Sequence, residues 1–70
     1  MKEIIFVIEP SEEGGYTPKA LGFSIFTEAE TKEELKTNVL DAVKCHFEEG
    51  KMPKIIRLHF VHDELLYIAA

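Results

Sequence analysis

Hydrophobic residues arrive in short bursts separated by polar or glycine-bearing punctuation, and the period of each burst predicts its element. Ile4-Ile5-Phe6-Val7-Ile8 is β-branched and aromatic, too short for a good helix and closed by Pro10, so it predicts a buried strand. Ser11-Glu12-Glu13-Gly14-Gly15 comes next, with two glycines free to take positive φ, which is hairpin-loop chemistry. Tyr16 and Thr17 begin the returning strand. Pro18 cannot donate to a ladder, so this second strand is either a sheet edge or is interrupted there. Gly22 punctuates again, and Phe23-Ser24-Ile25-Phe26-Thr27 predicts a third strand. Three strands joined by short turns make an antiparallel meander.

The next segment carries the clearest local signal. Thr31-Lys32-Glu33-Glu34 fits a capping box, in which the Thr31 hydroxyl accepts from the Glu34 amide and the Glu34 carboxylate reaches back to the Thr31 amide. A helix is predicted to start near Lys32, with Leu35, Val39, Leu40, Ala42, Val43 and Phe47 along one apolar face. Gly50 supplies a left-handed stop and Pro53 blocks continuation, giving about five turns or about 27 Å. Residues 55–61 predict a further strand, with Ile56, Leu58 and Phe60 on one face and Arg57, His59 and Val61 on the other. His62-Asp63-Glu64 is then expected as a tight turn, and Leu65-Leu66-Tyr67-Ile68 as a fifth strand. Residues 1–70 therefore form a single α+β domain of βββαβ(β) order, an antiparallel meander plus one crossover helix.

One helix covers one face of a sheet, yet the predicted strands are apolar on both. Ile4, Phe6 and Ile8 oppose Ile5 and Val7; Phe23 and Ile25 oppose Phe26; Leu65 and Tyr67 oppose Leu66 and Ile68. A sheet with a wet face normally alternates apolar with polar residues, and an uncovered apolar patch of this kind marks a protein interface. Ile5, Val7, Phe26, Leu66 and Ile68 are accordingly the candidate oligomer-interface residues, and a homo-oligomer, dimer or higher, is expected. Size points the same way. A domain of 70 residues has a thin stability margin and usually needs a disulfide, a metal or a partner subunit. Cys45 is the sole cysteine, so no internal disulfide forms.

Charge narrows the partner classes. The formal net charge is −5, from 13 acidic and 8 basic residues, with Arg57 the one arginine. The basic residues are scattered, whereas nucleic-acid binding gathers them on one surface, so no direct nucleic-acid contact is expected. An acidic surface suits a basic protein partner, and it also simply keeps a protein dissolved. No apolar run approaches a membrane span and no cleavage site comes after the first strand, so a cytoplasmic location without membrane contact is the expectation.

Candidate chemistry is sparse. Cys45-His46 suggests a thiolate activated by imidazole, but adjacent helical residues point about 100° apart. His46 is expected within the apolar stripe beside Val39, Ala42 and Val43, and Cys45 as a small packing residue on its flank. His59 and His62 fall on opposite faces of a strand and, with His46 and Asp63, show no ligand spacing, so no metal site is expected. Gly14-Gly15 and Gly22 make no phosphate loop. No catalytic residue, cofactor or enzymatic activity is therefore expected.

Gly14-Gly15-Tyr16, then Ala20-Leu21-Gly22, then Thr31-Lys32-Glu33-Glu34-Leu35, with Asn38, Ala42 and Val43 on the helix, stand in an order that resembles the N-terminal domain of HicB-like antitoxins. The resemblance covers residues 3 to about 50 and, more loosely, the closing strands. It departs from the family pattern at Leu21-Gly22, where a proline is missing, and in the short segment around Thr17-Pro18-Lys19. It implies a partly RNase-H-like βββαβ topology, dimerisation, and masking of a small basic RNA-cleaving toxin of the HicA type, or an orphan relative without a toxin. The helix-turn-helix or ribbon-helix-helix module of many members is not among these 70 residues, so operator binding is not expected. A small-ligand sensor or accessory subunit using the sheet's open face is the alternative expectation.

Overall fold

A computed structural model describes residues 2–69. Strand β1 (Glu3–Pro10) pairs antiparallel with β2 (Tyr16–Ala20), and helix α1 (Lys32–His46) then returns the chain to β3 (Ile55–Phe60). β3 lies parallel to β1, in register from Glu3 opposite Ile55 to Ile8 opposite Phe60, as a helical crossover requires. The sheet order β2-β1-β3 places the most apolar strand in the middle. The result is a small α+β fold with a mixed three-stranded sheet and one helix, in agreement with a βββαβ plan.

The meander is less regular than predicted. Residues 23–29 pair with β2 only at two isolated bridges, Phe26 with Lys19 and Ala29 with Tyr16. The Ile25 carbonyl accepts from the Ala20 amide, and the Thr27 amide donates to Pro18 O. Pro18 is accommodated because β2 is the outer regular strand. Its carbonyl points away from β1, so the missing N–H would have pointed outward as well. Among the described residues the predicted fifth strand does not form: residues 65–68 carry no regular secondary structure and pair with no strand.

The Thr31 hydroxyl caps α1, accepting from the Glu34 amide at 3.1 Å, with Glu33 and Glu34 in the first turn and Lys44 and His46 in the last, the favourable order for the helix dipole. The helix ends earlier than Gly50 predicts. Phe47 is already extended (φ −103°, ψ 144°), and Gly50, at φ 86°, turns the connection beyond it. Its 15 residues span about 22 Å, enough to run the length of the sheet. Leu35, Val39 and Val43, spaced by one helical turn, are its buried face. Leu40, predicted on that stripe, is about half exposed.

Ile4, Phe6 and Ile8 meet that face, and Ile25 and Ala29 close the same core. Each of these large side chains contributes about 1.5–3 kcal/mol by leaving water. Asn38 Nδ2 donates to the Glu28 carbonyl at 2.7 Å, fastening the helix to the segment before it. Among the described residues no helix is long and apolar enough to cross a membrane.

Two stability rankings are expected. Phe6, wholly buried, should lose about 3–5 kcal/mol as Phe6→Ala, against about 1 kcal/mol for Thr31→Ala. A total of about 4–10 kcal/mol is expected at this size, so urea unfolding monitored by circular dichroism should show Phe6→Ala largely unfolded and Thr31→Ala merely shifted. Gly14 and Gly15 both have positive φ, but an added Cβ meets nothing at Gly14 and lies 2.3 Å from the Ala29 carbonyl oxygen at Gly15. That oxygen accepts from the Tyr16 amide at 2.7 Å. Gly14→Ala should cost about 1–2 kcal/mol from its backbone conformation, and Gly15→Ala distinctly more in the same unfolding assay.

Candidate functional site

The strand registers sort every side chain onto one of two faces. Partners across a ladder share a face, so the side away from α1 carries Ile5 and Val7 from β1, Thr17 and Lys19 from β2, and Ile55, Arg57 and His59 from β3. Phe26, bridged to Lys19, joins them. Ile5 and Val7 are half-buried, flanked by Arg57, Lys19 and His59. Long basic side chains cover apolar neighbours with their stems in such positions while keeping their charge in water. Phe26 is 74% exposed, with Leu21 and Ile55 also mostly open.

Arg57 Nε donates to Glu3 Oε1 at one end of this face. The hydrogen bond and then the charge of Glu3 raise the guanidinium pKa above its ordinary value, so Arg57 remains a cation. At the opposite end the Thr17 hydroxyl donates to the Glu9 carbonyl. The face is thus an apolar centre between polar ends.

Of the five residues predicted for the interface, the structure brings Ile5, Val7 and Phe26 to this one surface. Leu66 and Ile68 lie elsewhere, on the segment beyond β3, where both are almost fully exposed. Sequence reading missed Leu21 and Ile55. Leu21 stands next to a turn glycine, where loop chemistry hides it, yet its amide donates to Ile5 O and so extends the ladder.

The expected packing roles of Cys45 and His46 are corrected. Both are exposed. The buried stripe runs Leu35, Val39, Val43, which leaves His46 at its margin, with its ring edge-on to Phe47 at 4.9 Å and to Phe23 at 6.0 Å between centroids. With Ser24, Ile25, Phe26 and Ala42 they border an open depression of about 390 Å³. Among the described residues no group of three or more His, Cys, Asp or Glu side chains could hold a metal ion.

A second surface feature needed the tertiary structure. Glu13, from the hairpin loop, Glu28 and Glu30, before the helix, and Glu34, in its first turn, line one open groove of about 720 Å³. In sequence they are turn and helix-start carboxylates. The paired backbone hydrogen bonds of Tyr16 with Ala29 draw the two segments together and concentrate the negative charge. Any cationic group approaching this end of the molecule meets a favourable field.

No protein-family model and no solved structure matches the chain. It is 52% identical over 62 residues to a UPF0150 protein of Thermotoga maritima, an alignment covering 89% of this chain and 87% of that relative. A UPF0150 protein of Archaeoglobus fulgidus is 58% identical over 52 residues, covering 74% of this chain and 77% of its own length. At that identity and coverage, the chain belongs to the UPF0150 family.

Proposed function

We propose that the chain is a non-catalytic, self-associating protein-binding module of HicB-like character, an antitoxin or its orphan relative, which masks a small basic RNA-cleaving toxin. The observation that carries this reading is the uncovered sheet face around Ile5, Val7 and Phe26. One helix leaves that apolar surface without a lid, and a partner protein is the ordinary way to bury it. Two further features support it. The glutamate groove supplies charge complementary to a basic partner and would speed its encounter. The order of motifs from Gly14 to Val43 resembles that of HicB-like domains.

A small-ligand sensor or accessory subunit is the second reading, favoured by the volume of the same groove, which lies within the range of ligand sites. Its lining of four glutamates restricts such a ligand to cationic compounds. A thermal-shift screen with polyamines and other cationic metabolites separates the two, since a ligand at 100 times its Kd adds about 2.7 kcal/mol.

The test of the first reading is co-expression with a small basic protein, where one is encoded beside this chain. A complex is expected that weakens as salt rises and that suppresses RNA cleavage by the partner. Phe26→Asp, at an exposed position, should weaken the complex about tenfold or more without unfolding the chain. Replacing Glu13, Glu28, Glu30 and Glu34 by Gln should chiefly slow association and flatten its salt dependence. Absence of a complex in titration calorimetry at low salt would refute the toxin-masking role.

A further inference from the structure

The amide of Val61 still donates to Ile8 O, but beyond it the chain leaves the sheet. Leu65, Leu66, Tyr67 and Ile68 are 72%, 88%, 87% and 97% exposed. The molecule is correspondingly long, 58 × 21 × 18 Å, with a radius of gyration of 14.5 Å, against about 11 Å for a compact chain of this length. Four consecutive large apolar residues in water are a surface awaiting a cover.

The segment is badly placed to fold back on its own β3. Hairpin loops of two or three residues need a left-handed residue. Every positive φ among the described residues is at a glycine, and no glycine or asparagine occurs after Gly50. Of His62, Asp63 and Glu64, Asp63 takes that conformation most readily, and each takes it less readily than the glycines that make every other such turn among the described residues.

A site for the segment exists on the molecule's own surface. β3 is an outer strand, so the backbone groups along its far side have no ladder partner among the described residues. On the helix side, the backbone of α1 comes closest to β2, and a hollow of about 140 Å³ remains beside β3, lined by Lys36, Val39, Leu40, Ile56 and Leu58. This hollow explains why Leu40 is half exposed and why Ile56 and Leu58 are only partly buried.

We infer that two copies of the chain exchange these segments, residues 64–68 of each adding as an antiparallel strand to the free edge of β3 in the other. A two-fold axis near His62 brings Leu66 opposite Leu58 and Ile68 opposite Ile56, both facing the hollow under α1 of the second copy. Tyr67 then lies opposite Arg57, and Leu65 opposite His59, on the other face. The alternation of β3 supports this register, since Ile56 and Leu58 share the helix side. The exchange stands independently of the toxin reading, because it uses the β3 edge and leaves Phe26 and the glutamate groove open.

The experiment is sedimentation of the full chain at micromolar concentration beside Leu66→Asp/Ile68→Asp. The unaltered chain is expected to be a dimer, and the double variant a monomer with its dimer Kd raised at least 100-fold and an unchanged circular dichroism spectrum. Phe26→Asp should remain dimeric. A second arm places Leu58→Cys with Leu66→Cys in a Cys45→Ser background, which on oxidation should give a covalent dimer. A monomeric unaltered chain would overturn the inference. So would a dimer that survives Leu66→Asp/Ile68→Asp, or a cross-link closed within one chain.

Discussion

The packing of Ile4, Phe6 and Ile8 against Leu35, Val39 and Val43 is the constraint on which the rest of the molecule depends. These six side chains are almost wholly buried, and they fix both which side of β1 faces inward and where α1 must lie. Strand periodicity then assigns every other residue of the sheet to a side. Ile5 and Val7 face outward because Phe6 faces inward. The candidate binding surface is thus a by-product of the core, and no separate element had to be built for it. A slip of one residue in β1 would exchange the two surfaces and expose the core.

Local chemistry makes part of this legible. The Thr31 cap marks the start of the helix because its hydrogen bond from the Glu34 amide closes within four residues; the reciprocal bond of a full capping box is not among those of the described residues. The first strand is legible because a β-branched run ending at Pro10 has few alternatives. The errors all lie where a distant contact decides the outcome. Gly50 is a good helix stop, but Phe47 is drawn out of the helix first, its ring lying edge-on to Phe23 at 5.2 Å. Phe23-Ser24-Ile25-Phe26-Thr27 has strand composition, yet its hydrogen bonds go to β2 only at intervals. Ile25 is pulled into the core, and Asn38 holds the backbone at Glu28. His46 shows how narrow the margin is, since a helix with its seam along Leu35, Val39 and Val43 leaves a residue three positions further at the rim.

The candidate surface divides along the same line. Ile5, Val7 and Phe26 are accessible to alternation alone. The glutamate groove is not, because its four carboxylates come from three segments that only tertiary contacts, among them those of Tyr16 with Ala29 and of Asn38 with Glu28, bring together. Leu66 and Ile68 qualify as interface residues in sequence for being apolar on a strand, and they are exposed for a different reason, because their segment leaves the sheet altogether. Alternation identifies candidate contact residues; only the path of the chain tells which of them act together.

The parallel pairing of β1 with β3 has a consequence in time. Glu3 must find Ile55 across β2 and α1, and contacts this remote in sequence slow folding because the entropy of closing the loop is lost before the ladder rewards it. During synthesis the central strand emerges well before its parallel neighbour. One flank of β1 therefore stays unsatisfied until β3 has been made, and in that interval Ile4, Phe6 and Ile8 are open to association with other unfinished chains.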